Sequence, residues 1–223
     1  GKPLFFLADE QVRGFLKLVV LLCVGVTAWL VIWKGFNVAE AFRYGSFNII
    51  SILTGTGYAS TDYGQWGDFA ITLFFLIMFV GGCAGSTSCG IKIFRFQVLL
   101  KSMRCWVNHI IQPNGVFVPT FNKRPITEDV RSSVLAFMSL FLASFIVLSI
   151  ALASTGADWI TAFSSAGTAL ANVGPGLGDQ VGPSGTFGGL TDSAKWLMSI
   201  GMLVGRLELW SAIVLLSPAF WRA

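Results

Sequence analysis

Apolar segments of two lengths alternate along this chain, and that difference restricts its fold more than any other feature. A helix needs about 20 residues to cross the roughly 30 Å hydrocarbon core of a bilayer. Residues 14–36 and 128–154 are long enough to do so. Residues 38–53 and 158–171 are not: at about 1.5 Å per residue they reach only about 20 to 24 Å, which suits a re-entrant half-helix. Each short segment ends in residues that favour unwound backbone, Thr54-Gly55-Thr56-Gly57 in the first and Asn172-Val173-Gly174-Pro175-Gly176 in the second. Only 12% of the residues are charged, against about 25% in soluble domains, while 54% are hydrophobic and the mean hydropathy is +0.73. The expected class is therefore all-α integral membrane.

Aligning Gly57 with Gly174 exposes an internal repeat. Asp68 precedes Met78-Phe79-Val80-Gly81-Gly82 at the same ten-residue spacing by which Asp192 precedes Met202-Leu203-Val204-Gly205-Arg206. The unit is spanning helix, half-helix, glycine-bearing loop and second helix, occurring twice with its glycines 117 residues apart. Residues 1–109 hold the first copy, with a spanning helix at 14–36, a half-helix at 38–53 and a broken second helix at 68–108. Residues 110–127 read as a cytoplasmic loop, and 128–223 as the second copy, with helices at 128–154, 158–171 and 192–216. Thr127 followed by Glu128 and Asp129 reads as an N-cap and first helical turn. The chain begins with Gly and shows no signal-peptide pattern, so a segment of a longer protein is expected.

Lys and Arg fix the expected orientation. With a cytoplasmic N-terminus, 11 of the 15 fall inside (Lys2, Arg13, Lys17, Lys92, Arg95, Lys101, Arg104, Lys123, Arg124, Arg131, Arg222), three outside (Lys34, Arg43, Lys195) and Arg206 within the membrane. That bias satisfies the positive-inside rule and argues for a topology signal rather than nucleic-acid binding. Both half-helices then enter and leave from the outside.

Irregular backbone at membrane depth persists only where protein or a water-filled cavity surrounds it, because an unpaired N–H or C=O in lipid costs several kcal/mol. A half-helix descending from outside presents its negative C-terminal end to the membrane interior, and glycine lets the following loop aim carbonyls at a dehydrated cation. The two loops thus read as a cation filter; the competing reading is a Gly/Thr kink packed on a neighbouring helix. For Thr54, Thr56 and Asn172, ligand and helix cap are both open.

The stretch "GGCAGSTSCG" (Gly81, Gly82, Cys83, Ala84, Gly85, Ser86, Thr87, Ser88, Cys89, Gly90) follows an apolar run, Asp68 to Val80, that covers only about 19 Å, so it is expected within the membrane. It suits either a movable plug below the filter or a small-residue packing surface. Arg206, aligned with Gly82, is costly at mid-bilayer and needs a cavity or a partner. An electrostatic barrier to cations and a donor to loop carbonyls are both open roles. Cys23, Cys83, Cys89 and Cys105 form no zinc-type pair and read as packing residues. His109 reads as a solvated loop residue, and Trp33, Trp66, Trp159 and Trp221 as an interfacial belt. No nucleophile and base share a cavity, so an enzyme is not expected.

These residues resemble the Trk/Ktr/HKT superfamily of potassium transporters, in particular the C-terminal half of a bacterial Trk-type membrane subunit. The matching stretches are "SILTGTGYAS", "MFVGGCAGSTSCGIKIFR", "ALANVGPGLG" and "MLVGRLELWSAIVLLSPAFW". The resemblance implies four helix–pore loop–helix repeats around one pore, like a potassium channel with fused subunits, of which two are present here. It places the filter, and the potassium, at Thr54, Gly55, Thr56, Gly57, Tyr58, Asn172, Val173, Gly174, Pro175 and Gly176. It makes 81–90 the intramembrane gating loop, with Arg206 beside it. It further implies the bacterial inner membrane, a homodimer, and a cytosolic nucleotide-binding ring gripping basic loop 92–127, with the nucleotide on that partner and no cofactor on this chain. Cys89 departs from the family pattern, standing where another glycine is usual. The function expected is potassium uptake, with sodium as a second candidate ion. An alternating-access cation symporter is the alternative, which the parallel order of the two repeats disfavours.

Overall fold

The computed structural model describes residues 8–207, Val214, Pro218 and residues 220–222. The expectations for residues 1–7 and for most of the stretch beyond 207, including the C-terminal part of the 192–216 helix, lie outside the described residues.

Two long helices, α1 (Glu10–Lys34) and α5 (Glu128–Ala153), each open a helical unit. Both are long and apolar enough to cross a membrane, with a mean hydropathy of 2.5 over their best 18 residues. Leu21, Val24, Ile32, Val147 and Ile150 stand exposed on them, as lipid-facing side chains do where no water competes for the surface. α1 starts cleanly because the Asp9 carboxylate accepts from Gln11 N–H at 2.8 Å. After α1 comes α2 (Val38–Thr54), and after α5 comes α6 (Trp159–Ala171). The residues N-capping these half-helices, Asn37 and Asp158, also accept backbone N–H bonds, from Ala39 and Thr161.

The units close with α3 (Asp68–Ile77), interrupted and resumed as α4 (Ile93–Ile111), and with α7 (Asp192–Arg206). Between α3 and α4 the chain makes one short parallel pairing of β1 (Val80–Gly81) with β2 (Ile91–Lys92), in register Val80↔Ile91. A two-stranded antiparallel hairpin, β3 (Thr120–Phe121) with β4 (Arg124–Pro125), sits before α5. Its turn residues Asn122 and Lys123 have φ of 48° and 62°, the left-handed pair that a tight type I′ hairpin requires.

The first unit buries Leu30, Ile49, Leu53, Tyr63 and Phe74 at its centre, and Val173 and Leu177 of the second unit join the same cluster. Leu152, Ala162, Ala166 and Val181 form the second core. Ile91, Phe137, Phe141 and Leu170 link the two. α6 lies in the middle: ten of its 13 residues are buried, mostly Ala, Ser, Thr and Gly. Side chains this small let neighbouring helices approach closely without a large dispersion partner.

Two sequence expectations are corrected here. The segment after 108 is not loop throughout: α4 runs to Ile111 and carries His109 in its last turn, and residues 120–125 pair as a hairpin. Prolines 113, 119 and 125 shaped the loop reading, yet only the first terminates anything, since β4 accepts Pro125 in a two-residue edge strand. Thr127 occupies the N-cap of α5 with Glu128 and Asp129 in the first turn, as expected, although its side chain makes no capping bond. Trp66 is 4% exposed, stacked edge-on against Phe74, and so belongs to the core rather than an interfacial belt; Trp33, Trp159 and Trp221 are exposed. Lys92, counted with the inner cations, is 8% exposed.

Candidate functional site

The two half-helices end alike. Gly55 and Asn172 each adopt the left-handed conformation, φ 71° and 51°, and donate to the carbonyls of Ile52 and Ala169, respectively 3.0 and 3.3 Å away. Thr56 N–H and Val173 N–H then reach back five residues to Ser51 O and Thr168 O at 2.9 and 3.2 Å. This pair of bonds satisfies the last carbonyls of a helix. Every partner is offset by the same 117 residues, so the repeat seen in the sequence is also a repeat of hydrogen bonds. Neither half-helix carries a basic residue in its last turn, which leaves the negative end of each dipole to whatever occupies the space beyond it.

Beyond the caps the two loops meet backbone to backbone. Gly57 has φ of 77°, and a Cβ there would overlap the Val173 carbonyl oxygen; a Cβ on Gly174, φ 112°, would lie 3.6 Å from Gly57 Cα. Only glycine satisfies both the left-handed backbone and the close approach at position 57. Together with Pro175 and Met202 these glycines line an open cavity of about 340 Å³. Among the described residues no backbone donor reaches the carbonyls of Gly55, Thr56, Gly57 or Val173.

The loops are held from behind. Thr168 Oγ1 accepts from Gly174 N–H and donates to Gly174 O, both at 3.0 Å. Ser164 Oγ donates to Leu177 O at 3.0 Å, and Asn48 bridges Tyr44 O to Ser60 on both sides of the first loop. Ser51, the repeat counterpart of Thr168, has a buried hydroxyl with no partner among the described residues. Asn172 serves as a cap and as a brace, its amide donating to Met202 O on α7 at 3.0 Å. Thr54 closes α2 and returns its hydroxyl to Ile50 O at 2.7 Å. Tyr58 is exposed.

The glycine-rich stretch 81–90 lies against this arrangement: a Cβ on Gly55 would be 4.0 Å from Ser88 Cβ, and one on Gly90 would be 3.7 Å from Ala171 Cβ. It is thoroughly hydrogen-bonded. Gly82 N–H donates to Ser88 Oγ at 2.9 Å, Ser86 Oγ to Cys83 O at 2.6 Å, and Ile91 N–H to Phe79 O at 2.9 Å. Two cations grip it. Lys92 Nζ donates to Ser86 O at 2.9 Å and to Ser88 O, while Arg206 donates to Thr87 O at 2.7 Å and to Cys89 Sγ at 3.3 Å. From the other side Gln11 Oε1 accepts from Ala84 N–H at 2.6 Å. The loop and Arg206 enclose a cavity of about 250 Å³ with Phe137 and Phe141. Cys89 thus has a definite role, since its sulfur takes part of the Arg206 contact.

The structure therefore brings Gly55 and Gly57 against the 172–174 turn, and Ser88, Gly90 and Arg206 next to them, while Tyr58 is exposed and a Cβ on Gly85 would meet nothing within 4 Å. Thr168, Ser164, Asn48 and Gln11 were not singled out from the sequence, and Lys92 was read only as an inner cation. Of these, only Lys92 carries a signal that could have found it, a charge directly after a segment expected at membrane depth.

Comparison with known proteins agrees with this fold. Residues 5–223 match the family described as TrkH, cation transport protein. The chain is 46% identical over 222 residues to the Trk system potassium uptake protein TrkI of Halomonas elongata, covering 100% of this chain and 45% of that protein. It is 33% identical over 217 residues to the Trk system potassium uptake protein TrkH of Escherichia coli K12, covering 96% and 44%. The crystal structure of the potassium transporter TrkH from Vibrio parahaemolyticus superposes with a TM-score of 0.90 at 32% identity, covering 98% of this chain and 46% of that one. The chain spans slightly less than half the length of the relatives it matches. With two spanning helices, two half-helices and two loops that meet at glycine, the chain is an all-α integral membrane segment and belongs to the TrkH cation transport protein family.

Proposed function

We propose that this chain supplies two of the four quarters of a potassium-permeation pore in the bacterial inner membrane, the other two coming from the remainder of the subunit. Residues 54–58 and 172–176 form half of its selectivity filter. The observation that carries this reading is the contact of Gly57 with the Val173–Gly174 turn, directly beyond the uncompensated negative ends of α2 and α6. Unpaired carbonyls at such a place replace the water shell of an alkali cation, and the helix dipoles favour its charge.

The 81–90 loop, seated next to Gly55 and Ala171 and gripped by Lys92 and Arg206, serves as the gate. Two fixed positive charges beside the path raise the barrier to a cation while the loop stays closed. Residues 1–109 and 128–223 are then the third and fourth pore repeats, with the N-terminal end of α1 cytoplasmic. A homodimer, and a cytosolic nucleotide-binding ring acting on the inner face, complete the assembly.

The deciding measurement is potassium against sodium uptake by the complete subunit in proteoliposomes, wild type against Gly57→Ser and Gly174→Ser. Reduced uptake or a weakened potassium preference is expected in both variants. Unchanged uptake and unchanged ion preference in both would remove the filter assignment.

A further inference from the structure

A cleft of about 710 Å³ opens beside the N-terminal ends of the two membrane-crossing helices, α1 and α5. Arg13 of α1 and Lys123 and Arg124 of the β3–β4 hairpin line it. So do Asp9 and Glu10: Glu10 pairs with Lys101, while Asp9 accepts from Gln11 N–H and from Asn122 Nδ2, neutral donors that leave its charge in place. Glu128, at the start of α5, pairs with Arg131. Arg13, Lys123 and Arg124 are exposed and make no ion pair among the described residues. Three cations without an ion pair thus stand against the single carboxylate of Asp9, and the balance of the cleft is positive.

The remaining wall is apolar, with Phe94, Phe121 and Val130 among its members. Phe94 and Phe121 meet edge to face at 5.0 Å. The first turn of α5, which opens onto the cleft, has no side-chain cap for its N–H groups and carries Glu128 and Asp129, which already complement its positive end, so the anion contacts of the cleft come from its basic side chains.

We infer that this cleft is a binding site for an anionic phospholipid, the phosphate lying between Arg13, Lys123 and Arg124 and the upper acyl chain against Phe94 and Val130. A position at the end of two spanning helices is the headgroup level of the bilayer, where basic side chains and an apolar wall together match a lipid and a free anion uses only half of them.

The test is native mass spectrometry of the complete subunit, purified without any cytosolic partner and supplied with phosphatidylglycerol or phosphatidylcholine. One variant carries Arg13→Gln, Lys123→Gln and Arg124→Gln. A control of equal charge loss carries Lys17→Gln, Arg104→Gln and Arg222→Gln outside the cleft. The wild type and the control are expected to retain phosphatidylglycerol in preference to phosphatidylcholine, with retention falling about ten-fold or more in the cleft variant. Equal loss in both variants would mean diffuse surface charge and overturn the site, as would equal retention of the two lipids by the wild type. Displacement of the lipid by millimolar inorganic phosphate would make it a soluble-anion site and overturn it too. Because bound lipid is counted and flux is not, the outcome is separate from that of the pore reading.

Discussion

Arg206 donates to the Thr87 carbonyl at 2.7 Å, joining the end of α7 to the middle of the 81–90 loop across 119 residues of sequence. The same guanidinium nitrogen reaches Cys89 Sγ, and Lys92 holds the loop from within through Ser86 O and Ser88 O. A loop of ten residues with four glycines would otherwise have little to order it.

Removing the outer grip should loosen the gate. Arg206→Ala deletes a charge-assisted bond of about 1.5 to 3 kcal/mol together with a positive charge at the proposed path. Potassium flux through the complete subunit is expected to rise or to escape its normal regulation. Intact assembly with wholly normal conduction would count against a barrier role.

The anchor on α1 tests the same loop from the opposite side. Gln11 is 8% exposed and accepts from Ala84 N–H at 2.6 Å. Gln11→Leu keeps the volume and orphans that N–H, a loss of about 1 to 3 kcal/mol. Faster hydrogen exchange across 83–88 is expected, with α1 itself unchanged; an unaltered exchange pattern would show that the contact does not order the loop.

The two filter glycines should differ in their tolerance of a methyl group. At Gly174 a Cβ has 3.6 Å of room but must adopt φ of 112°, whereas at Gly57 it also collides with Val173 O. Gly174→Ala is expected to cost about 1 kcal/mol or more from strain alone, and Gly57→Ala distinctly more. Thermal unfolding of the purified subunit ranks them, and equal midpoints would contradict the close approach.

Thr168 supplies both hydrogen bonds to Gly174. Thr168→Val preserves shape and removes both, so the second loop is expected to lose potassium preference; Thr168→Ser, which retains the hydroxyl, should restore it. Paired potassium and sodium fluxes decide the matter.

Asp158 gives a pH dependence. Hydrogen bonding from Thr161, side chain and backbone, holds this exposed N-cap carboxyl below its ordinary value. A lowered folded-state pKa means that the cap's contribution is complete above the unfolded value and fades as pH falls through the folded one. The difference in thermal midpoint between wild type and Asp158→Ala should therefore be full at neutral pH and vanish in acid. A difference that persists at low pH would assign the cap's effect to something other than its charge.

The long and short apolar segments could be read directly as α1, α2, α5 and α6, because helix length against bilayer thickness is a local property of the chain. The 117-residue repeat was equally legible, since glycine spacing survives where the backbone must turn twice in the same way. The hairpin at 120–125 was not: it rests on an Asn122-Lys123 turn whose left-handed conformation glycine normally signals. Trp66 was misplaced for a similar reason, because its partner Phe74 is eight residues away on α3 and the two meet only once the chain has passed Gly67, φ 103°, between them.

The sequence by itself determined that the chain lies in a membrane, which of its segments are long enough to cross and which are not, and where its backbone must leave the helix, since each follows from hydropathy, length and glycine position along one segment. Only the tertiary structure decided that Gly57 meets Val173, that Thr168 holds Gly174, and that Lys92 and Arg206 turn inward onto one loop. Those contacts join residues as much as 119 positions apart, and a charge next to an apolar run does not show whether it faces water or the carbonyls of a neighbouring turn until packing has excluded the water.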